Sequence, residues 1–301
     1  MIRDFSIEIK GFDPVLAYEV KGQEKGPCLV IISGVHGAEY VGPRALMTFV
    51  EKIKNKGFDL KGRLIIIPVL NESGFYGGLK QVVAEDGLNL NRIFPASGDS
   101  KANLIAKMVQ EKLYPQADFL LDFHGGDINE EMEPLVFFPA YAQGDQKNII
   151  DMVMTSLSTT YLVPSQAKNG LYSYANTLGI PSLLLERGGQ GLWSYREANF
   201  VILNIFQTMK ALGMINLDVK NGSPKLIENP VYLSSPSRGV WYPHFKAGEF
   251  FEKGDELGIL KDLRGNIIEK FEADYDGVLL YQNIALGVSE GDHLIAYGKI
   301  S

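Results

Sequence analysis

Four histidines occur in the 301 residues, and two of them sit where a metal ion would need them. The segment Ile31-Ile-Ser-Gly-Val-His-Gly-Ala-Glu-Tyr sets His36 and Glu39 three residues apart, directly after an apolar run and flanked by Gly34 and Gly37. Glycines let the backbone turn sharply there, and an imidazole and a carboxylate at that spacing can share one ion. Taken alone, a His-x-x-Glu pair is a weak signal, because a loop histidine beside a solvated glutamate gives the same pattern. His124 adds the context: it too follows an apolar run, Phe119 to Phe123, and precedes Gly125 and Gly126. Catalytic zinc takes three protein ligands and keeps one position for water, and His/Glu/His is a known set. These three residues therefore point to one Zn2+ per chain, although neighbouring divalent ions suit the same donors. Asp122 either orients the His124 imidazole from behind or faces solvent.

The elements that must position these groups are legible as alternating patterns. Four short apolar runs, Cys28 to Ser33, Arg63 to Leu70, Phe119 to Phe123 and Ser182 to Leu185, read as strands covered on both faces. Between and after them, Pro43 to Asn55, Ser100 to Leu113, Gln146 to Thr160 and Tyr195 to Leu212 carry the apolar spacing of helices. Strands that cross over through helices imply an α/β fold with a mainly parallel or mixed sheet flanked by helices. In such sheets ligands bind beyond the carboxyl ends of the strands. His36 and Glu39, His124 and Glu186 each follow one of these runs, so they can converge although far apart in sequence.

Beyond about Asn221 the texture changes to short β-type runs broken by Gly and Asp. The expected organisation is a larger α/β domain over residues 1–222, which carries the candidate site, and a smaller all-β, barrel-sandwich-like domain over residues 223–301. The second part holds a weak internal repeat. Ser235-Pro-Ser-Arg-Gly-Val followed by Gly254-Asp-Glu-Leu parallels Ala273-Asp-Tyr-Asp-Gly-Val followed by Gly291-Asp-His-Leu. In that alignment His293 takes the place of Glu256, which marks an exposed hairpin position; neither it nor His244 is expected to be a ligand. Lys270 lies three residues before Ala273 without a Met neighbour, which disfavours a biotin- or lipoate-carrying hairpin.

Composition bounds the function. The chain has 29 basic and 36 acidic residues, net charge −7, with neither sign in a long block, which argues against nucleic-acid binding. No stretch reaches the ~18 apolar residues of a membrane span, and the first ten residues alternate instead of forming a leader, so a cytoplasmic protein is expected. The single cysteine, Cys28, excludes an intrachain disulfide and reads as a small buried residue.

Taken together the motifs resemble those of the succinylglutamate desuccinylase and aspartoacylase family of the zinc carboxypeptidase clan, especially its two-domain bacterial N-acyl amino acid deacylases. The resemblance rests on Gly34-Val-His-Gly-Ala-Glu-Tyr, Gly87-Leu-Asn-Leu-Asn-Arg-Ile-Phe-Pro, Asp122-Phe-His-Gly-Gly, Gly179-Ile-Pro with Glu186-Arg-Gly-Gly, and the glycine-rich β tail. It implies His36, Glu39 and His124 as zinc ligands, Asn91 and Arg92 as the grip on a substrate carboxylate, and Glu186 as general base and acid. A planar guanidinium suits that grip because it binds both carboxylate oxygens. Two departures stand out. Asn89 replaces an aspartate common in relatives, a change similar to the N-acyl diamino acid deacylase subgroup. Lys80 stands near where relatives place an arginine that stabilises the oxyanion, so that stabiliser is Lys80 or another cation.

The resemblance implies an enzyme that cleaves the amide bond of a small carboxylate-bearing substrate. Two rival readings remain: a metallocarboxypeptidase acting on short peptides, and a noncatalytic metabolite-binding protein on a degenerate hydrolase fold. The acyl group, the amine half and assembly into a homo-oligomer stay open.

Overall fold

The computed structural model describes residues 2–57 and 59–301. Strands β1 (Ile2–Ile9), β2 (Phe12–Lys21) and β3 (Glu24–Ser33) precede helix α1 (Val41–Lys56), strand β4 (Lys61–Ile67) and helices α2 (Glu72–Gly77) and α3 (Lys101–Met108). Next come β5 (Phe119–His124), β6 (Glu130–Met132), β7 (Leu135–Pro139), α4 (Gly144–Met154), β8 (Tyr161–Ser165), α5 (Leu171–Thr177), β9 (Ser182–Glu186) and α6 (Tyr195–Ala211). After α6 the chain forms strands without a helix: β10 (Lys225–Ser234), β11 (Gly239–Pro243), β12 (Phe250–Phe251), β13 (Glu256–Lys261), β14 (Ile267–Glu272), β15 (Gly277–Asn283), β16 (Gly287–Val288) and β17 (His293–Ile300). Among the described residues no helix is long and apolar enough to cross a membrane.

In the α/β part the strands lie in the order β1-β2-β4-β3-β5-β9-β7-β8. The centre, β4-β3-β5-β9, is parallel, while β2 and β7 join it antiparallel, so the sheet is mixed. Successive side chains on a strand point to opposite faces, and β3 shows the result. Leu29 and Ile31 pack with Phe49 of α1, Val153 of α4 and Ile205 of α6, while Val30 and Ile32 pack with Ile105 of α3 and Ala175 of α5. Burial on both faces is why these strands read as continuous apolar runs. Cys28 belongs to the second core, and burial pushes its thiol pKa up.

The helix expected over Gln146 to Thr160 ends at Met154. The next turn is taken over by α6: Ser158 N–H donates to Asn204 Oδ1 at 3.0 Å and to Gln207 Oε1 at 2.8 Å, partners a continued helix would not reach. Beyond β8 the large sheet continues without a break, because β10 pairs parallel with β8 through Lys225↔Tyr161 and Leu226↔Leu162 before running antiparallel to β17.

The internal repeat maps onto the β module as two equivalent hairpin partners. Its first copy supplies β11 and β13, paired antiparallel in a four-stranded sheet, and its second supplies β15 and β17, paired antiparallel in the large sheet. Each Gly-Asp turn closes on the start of the other copy: Gly254 N–H donates to Ala273 O and Gly291 N–H to Ser235 O, both at 2.8 Å. Between the two sheets lie Trp241, Leu260, Leu279 and Tyr297. Lys270 sits within β14, tied to Glu256 at 2.6 Å, and not at a hairpin tip.

Candidate functional site

Three strands of the parallel centre end side by side, and their ends carry the candidate residues. In register, Ser33 of β3 lies beside Phe123 of β5, and His124 of β5 beside Glu186 of β9. The chain leaves β3 through Gly34, whose φ of +67° suits glycine and strains other residues. His36 and Glu39 follow in a turn seated on α2. Gly37 lies so close that a Cβ there would meet the Gly74 carbonyl at 2.1 Å. Asn71, which caps α2 by accepting from Gly74 N–H, also donates through Nδ2 to Val35 O at 3.2 Å. The ligand turn is thus held from the helix side as well as from the sheet.

Glu39 stands between the two imidazoles. His36 Nδ1 lies 2.6 Å from Glu39 Oε1, and His124 Nδ1 lies 2.9 Å from Glu39 Oε2, with the rings edge to face and centroids 4.8 Å apart. All three side chains are buried, and each offers a ligand atom within 4.8 Å of the others. The outward nitrogens face oxygens: His36 Nε2 is 3.1 Å from Asn89 Oδ1, and His124 Nε2 is 3.2 Å from Asp122 Oδ1. Such partners turn the Nδ1 lone pairs inward, as metal-ligating histidines require.

The charges behave accordingly. Burial raises the Glu39 pKa, but the two imidazoles outweigh it and hold the carboxyl down at about 2. Burial lowers the His124 pKa, yet Asp122 and Glu39 drive it well above the usual imidazole range. Glu186, half-buried with its Oε2 shielded from solvent, is pushed well above the ordinary glutamate value, first by desolvation and then by Glu39, Glu130 and Asp122, with His124 opposing. Its Oε2 has no hydrogen-bond partner among the described residues. Asp127 is raised to about 6, mainly by burial. Crowded carboxyl groups around two imidazoles form a donor set short of positive charge, and a divalent cation would supply it. The cluster therefore fits a metal ion by donor type, by convergence and by charge.

Asn91 and Arg92 lie on a single helical turn, Leu90–Arg92, capped by Asn89, whose Oδ1 accepts from Asn91 N–H at 2.9 Å. Asn91 is buried, and its Oδ1 accepts from Leu171 N–H at the start of α5 at 2.8 Å, leaving the amide N–H2 to a ligand. Arg92 is exposed and is steadied by one bond from Nη1 to Asn91 O. Both residues, together with His36, Glu39, His124 and Glu186, line one cavity of about 640 Å³. Lys80 is not among its lining residues. Its ammonium donates to Asn129 Oδ1 at 2.8 Å, and the neighbouring Gln81 faces the cavity instead.

Sequence reasoning did not foresee the opposite wall, made by Glu130 on β6, Tyr232 on β10, Tyr281 on β15 and His293 on β17. His293 is exposed there, 3.4 Å from Ser234 Oγ and outside the ligand cluster, while His244 pairs with Glu256 at 3.4 Å. No local signal marks Glu130 or Tyr281: Glu130 follows His124 in a turn held by Asp127 and Gln190, and Tyr281 reaches the site only through the β module. Asn89 was legible as a departure but not as the residue that orients His36.

The catalytic-domain model of succinylglutamate desuccinylase/aspartoacylase matches residues 25–212. The chain is 36% identical over 287 residues to an N-alpha-acetyl-L-2,4-diaminobutyric acid deacetylase from Halomonas elongata, covering 92% of this chain and 83% of that protein. Two solved structures share the fold with a TM-score of 0.83. One is a succinylglutamate desuccinylase from Silicibacter, 21% identical and matched over 100% of this chain and 93% of that one. The other is the product-bound ectoine utilization protein from Ruegeria pomeroyi, 22% identical, with 98% and 93% covered.

Proposed function

Since the chain belongs to the succinylglutamate desuccinylase/aspartoacylase family, we propose that it is a zinc-dependent amidohydrolase that removes the acyl group from a small N-acyl amino acid. The observation that carries this reading is one cavity holding the His36, Glu39 and His124 cluster, the raised carboxyl of Glu186 and the guanidinium of Arg92. A zinc ion held by His36, Glu39 and His124 would lower the pKa of water and polarise the amide carbonyl. Asp122 and Asn89 keep the two imidazoles turned inward. Arg92 and the Asn91 amide bind the substrate carboxylate and so fix the amide beside Glu186. Glu186 takes a proton from the attacking water and returns it to the departing amine, a double duty suited to a carboxyl group whose pKa is raised above the ordinary glutamate value. The Halomonas relative, named for acetyl diaminobutyrate, supports an N-acetyl diamino acid as substrate.

The test joins metal analysis of the purified protein to a release assay on N-acetyl and N-succinyl amino acids, with short peptides alongside. One equivalent of zinc and release of acetate or succinate are expected. Cleavage confined to peptides would favour the carboxypeptidase, and metal without any turnover the metabolite binder; either would end the deacylase reading. We further propose that the catalytic machinery lies within residues 1–222, in the cytoplasm, with residues 223–301 completing the substrate pocket.

A further inference from the structure

The walls of the cavity carry an uneven set of charges. Arg92 is the one Arg or Lys among its lining residues, against the carboxyl groups of Glu39, Glu130 and Glu186. Three of these four have a task in the reaction just described: Glu39 lies between the imidazoles, Glu186 faces them, and Arg92 is free to meet one carboxylate. Glu130 has none. Its Oε2 accepts one backbone hydrogen bond, from Asp127 N–H at 3.1 Å. Among the described residues it forms no ion pair with a basic side chain.

Strand alternation explains why this residue, and not its neighbour, faces the cavity. On β6, Glu130 and Met132 line the cavity. Glu131 points the other way, where Oε2 accepts from Ala247 N–H at 3.2 Å and Gln282 Nε2 at 2.9 Å. β6 pairs with β15 so that Met132 lies opposite Tyr281 and Glu130 opposite Asn283. Tyr281 therefore stands on the same face, close to the Tyr232 ring with centroids 6.5 Å apart. A carboxylate and two aromatic rings that line one cavity are the groups that hold an alkylammonium by charge and by the ring faces together.

We propose that Glu130 is the specificity-determining residue of the cavity: its carboxylate binds the side-chain ammonium of an N-acyl diamino acid while Arg92 binds the α-carboxylate. The inference rests on the deacylase reading for the scaffold of the substrate, and it adds the group that selects the side chain. It also says what the cavity refuses. A second carboxylate, as in an N-acyl aspartate or glutamate, would find Arg92 already engaged and Glu130 repelling it. Tyr281 reinforces the selection. Burial, Tyr232 and the carboxyl groups of Glu130 and Glu186 raise its pKa well above the usual phenol value, so it remains a neutral hydroxyl beside the ammonium.

The test compares kcat/KM for N-acetyl-2,4-diaminobutyrate, its uncharged isostere N-acetylnorvaline, and N-acetylaspartate in the wild-type protein and in Glu130→Gln. Glutamine keeps an acceptor for Asp127 N–H, so the substitution removes charge with little change of shape. The wild type should prefer the diamino substrate over N-acetylnorvaline by roughly 10- to 100-fold, the range of a hydrogen-bonded charge, with N-acetylaspartate the poorest. Glu130→Gln should bring the first ratio close to one, whereas Glu131→Gln, on the opposite face of β6, should preserve it. Equal use of the diamino and norvaline substrates by the wild type, or a ratio that survives Glu130→Gln, overturns the proposal. Calorimetric binding of 2,4-diaminobutyrate and of norvaline to the same proteins gives a second reading independent of turnover. If the wild type cleaves no N-acyl amino acid, the deacylase reading fails, yet diaminobutyrate binding that is lost in Glu130→Gln still supports the ammonium site. Indifference between the two amino acids in calorimetry overturns it.

Discussion

The carboxylate of Glu39, bracketed by two Nδ1 atoms, shows how single side chains define this site. Each imidazole is aimed by an oxygen behind it, and the two oxygens differ in charge: Asp122 is a carboxylate, Asn89 a neutral amide. Removing the amide frees the His36 ring. Asn89→Ala should weaken zinc affinity about 10- to 100-fold, as outer partners of metal ligands commonly do, measured by chelator competition; unchanged affinity would show that the contact is idle. Glu186→Gln keeps the volume of the half-buried side chain and removes its basicity. It should retain stoichiometric zinc and lose ~10²-fold or more in kcat. The sign of the pH effect follows from burial and the surrounding carboxyl groups, which raise the Glu186 pKa. Its active, deprotonated form is therefore lost at a higher pH than for an ordinary glutamate. The acid limb of kcat/KM should lie above 4.5, and a profile flat down to that pH would remove Glu186 from the reaction. Arg92→Ala should raise KM for carboxylate substrates by about 10- to 100-fold, with kcat less affected; an equal loss on an acyl amide lacking a carboxylate would count against its role.

At the scale of elements, what matters is how loops are held at strand ends. The His36 turn is pressed on α2 at Gly37, where a methyl group would run into the Gly74 carbonyl. That neighbour is backbone and cannot rotate away. Gly37→Ala should displace the turn, cost on the order of 1–3 kcal/mol of stability and reduce zinc occupancy, both readable from thermal melts with and without added metal. A variant with normal zinc content would mean that the turn adapts. Gly34 instead serves through its positive φ, so the two glycines that look alike in sequence act by different means.

At the scale of the molecule, the β module is built into the catalytic sheet and does not hang from it. Leu135, Tyr161 and Val163 of the α/β part form one apolar cluster with Ile227, Val278, Leu280 and Ala296 of the module. Leu280 is fully buried in it. Leu280→Ala should cost about 2–5 kcal/mol and lower a single cooperative unfolding transition. Two separated transitions in the wild type would show that the parts fold independently. Because Glu130, Tyr232 and Tyr281 depend on this junction, loosening it should impair substrate selection before metal binding.

How much of this was legible beforehand follows from the range of the interactions involved. Buried parallel strands announce themselves as apolar runs, and a residue placed just after such a run lands at the ligand-binding edge. His36, Glu39, His124 and Glu186 could therefore be brought to one place from local pattern and the general behaviour of parallel sheets. Asn91 and Arg92 needed the family resemblance, since a polar turn capped by Asn89 looks like many others. β6 and β15 were beyond reach. Glu130 and Tyr281 are about half the chain apart, and a three-residue strand such as β6 carries no periodicity. The sequence by itself determined the His36, Glu39 and His124 cluster of donors that could hold a metal ion, because these residues end or follow strands that end side by side. Only the tertiary structure decided which side chains face those donors across the cavity, because that wall exists through long-range pairing of strands whose local sequences do not specify their partners.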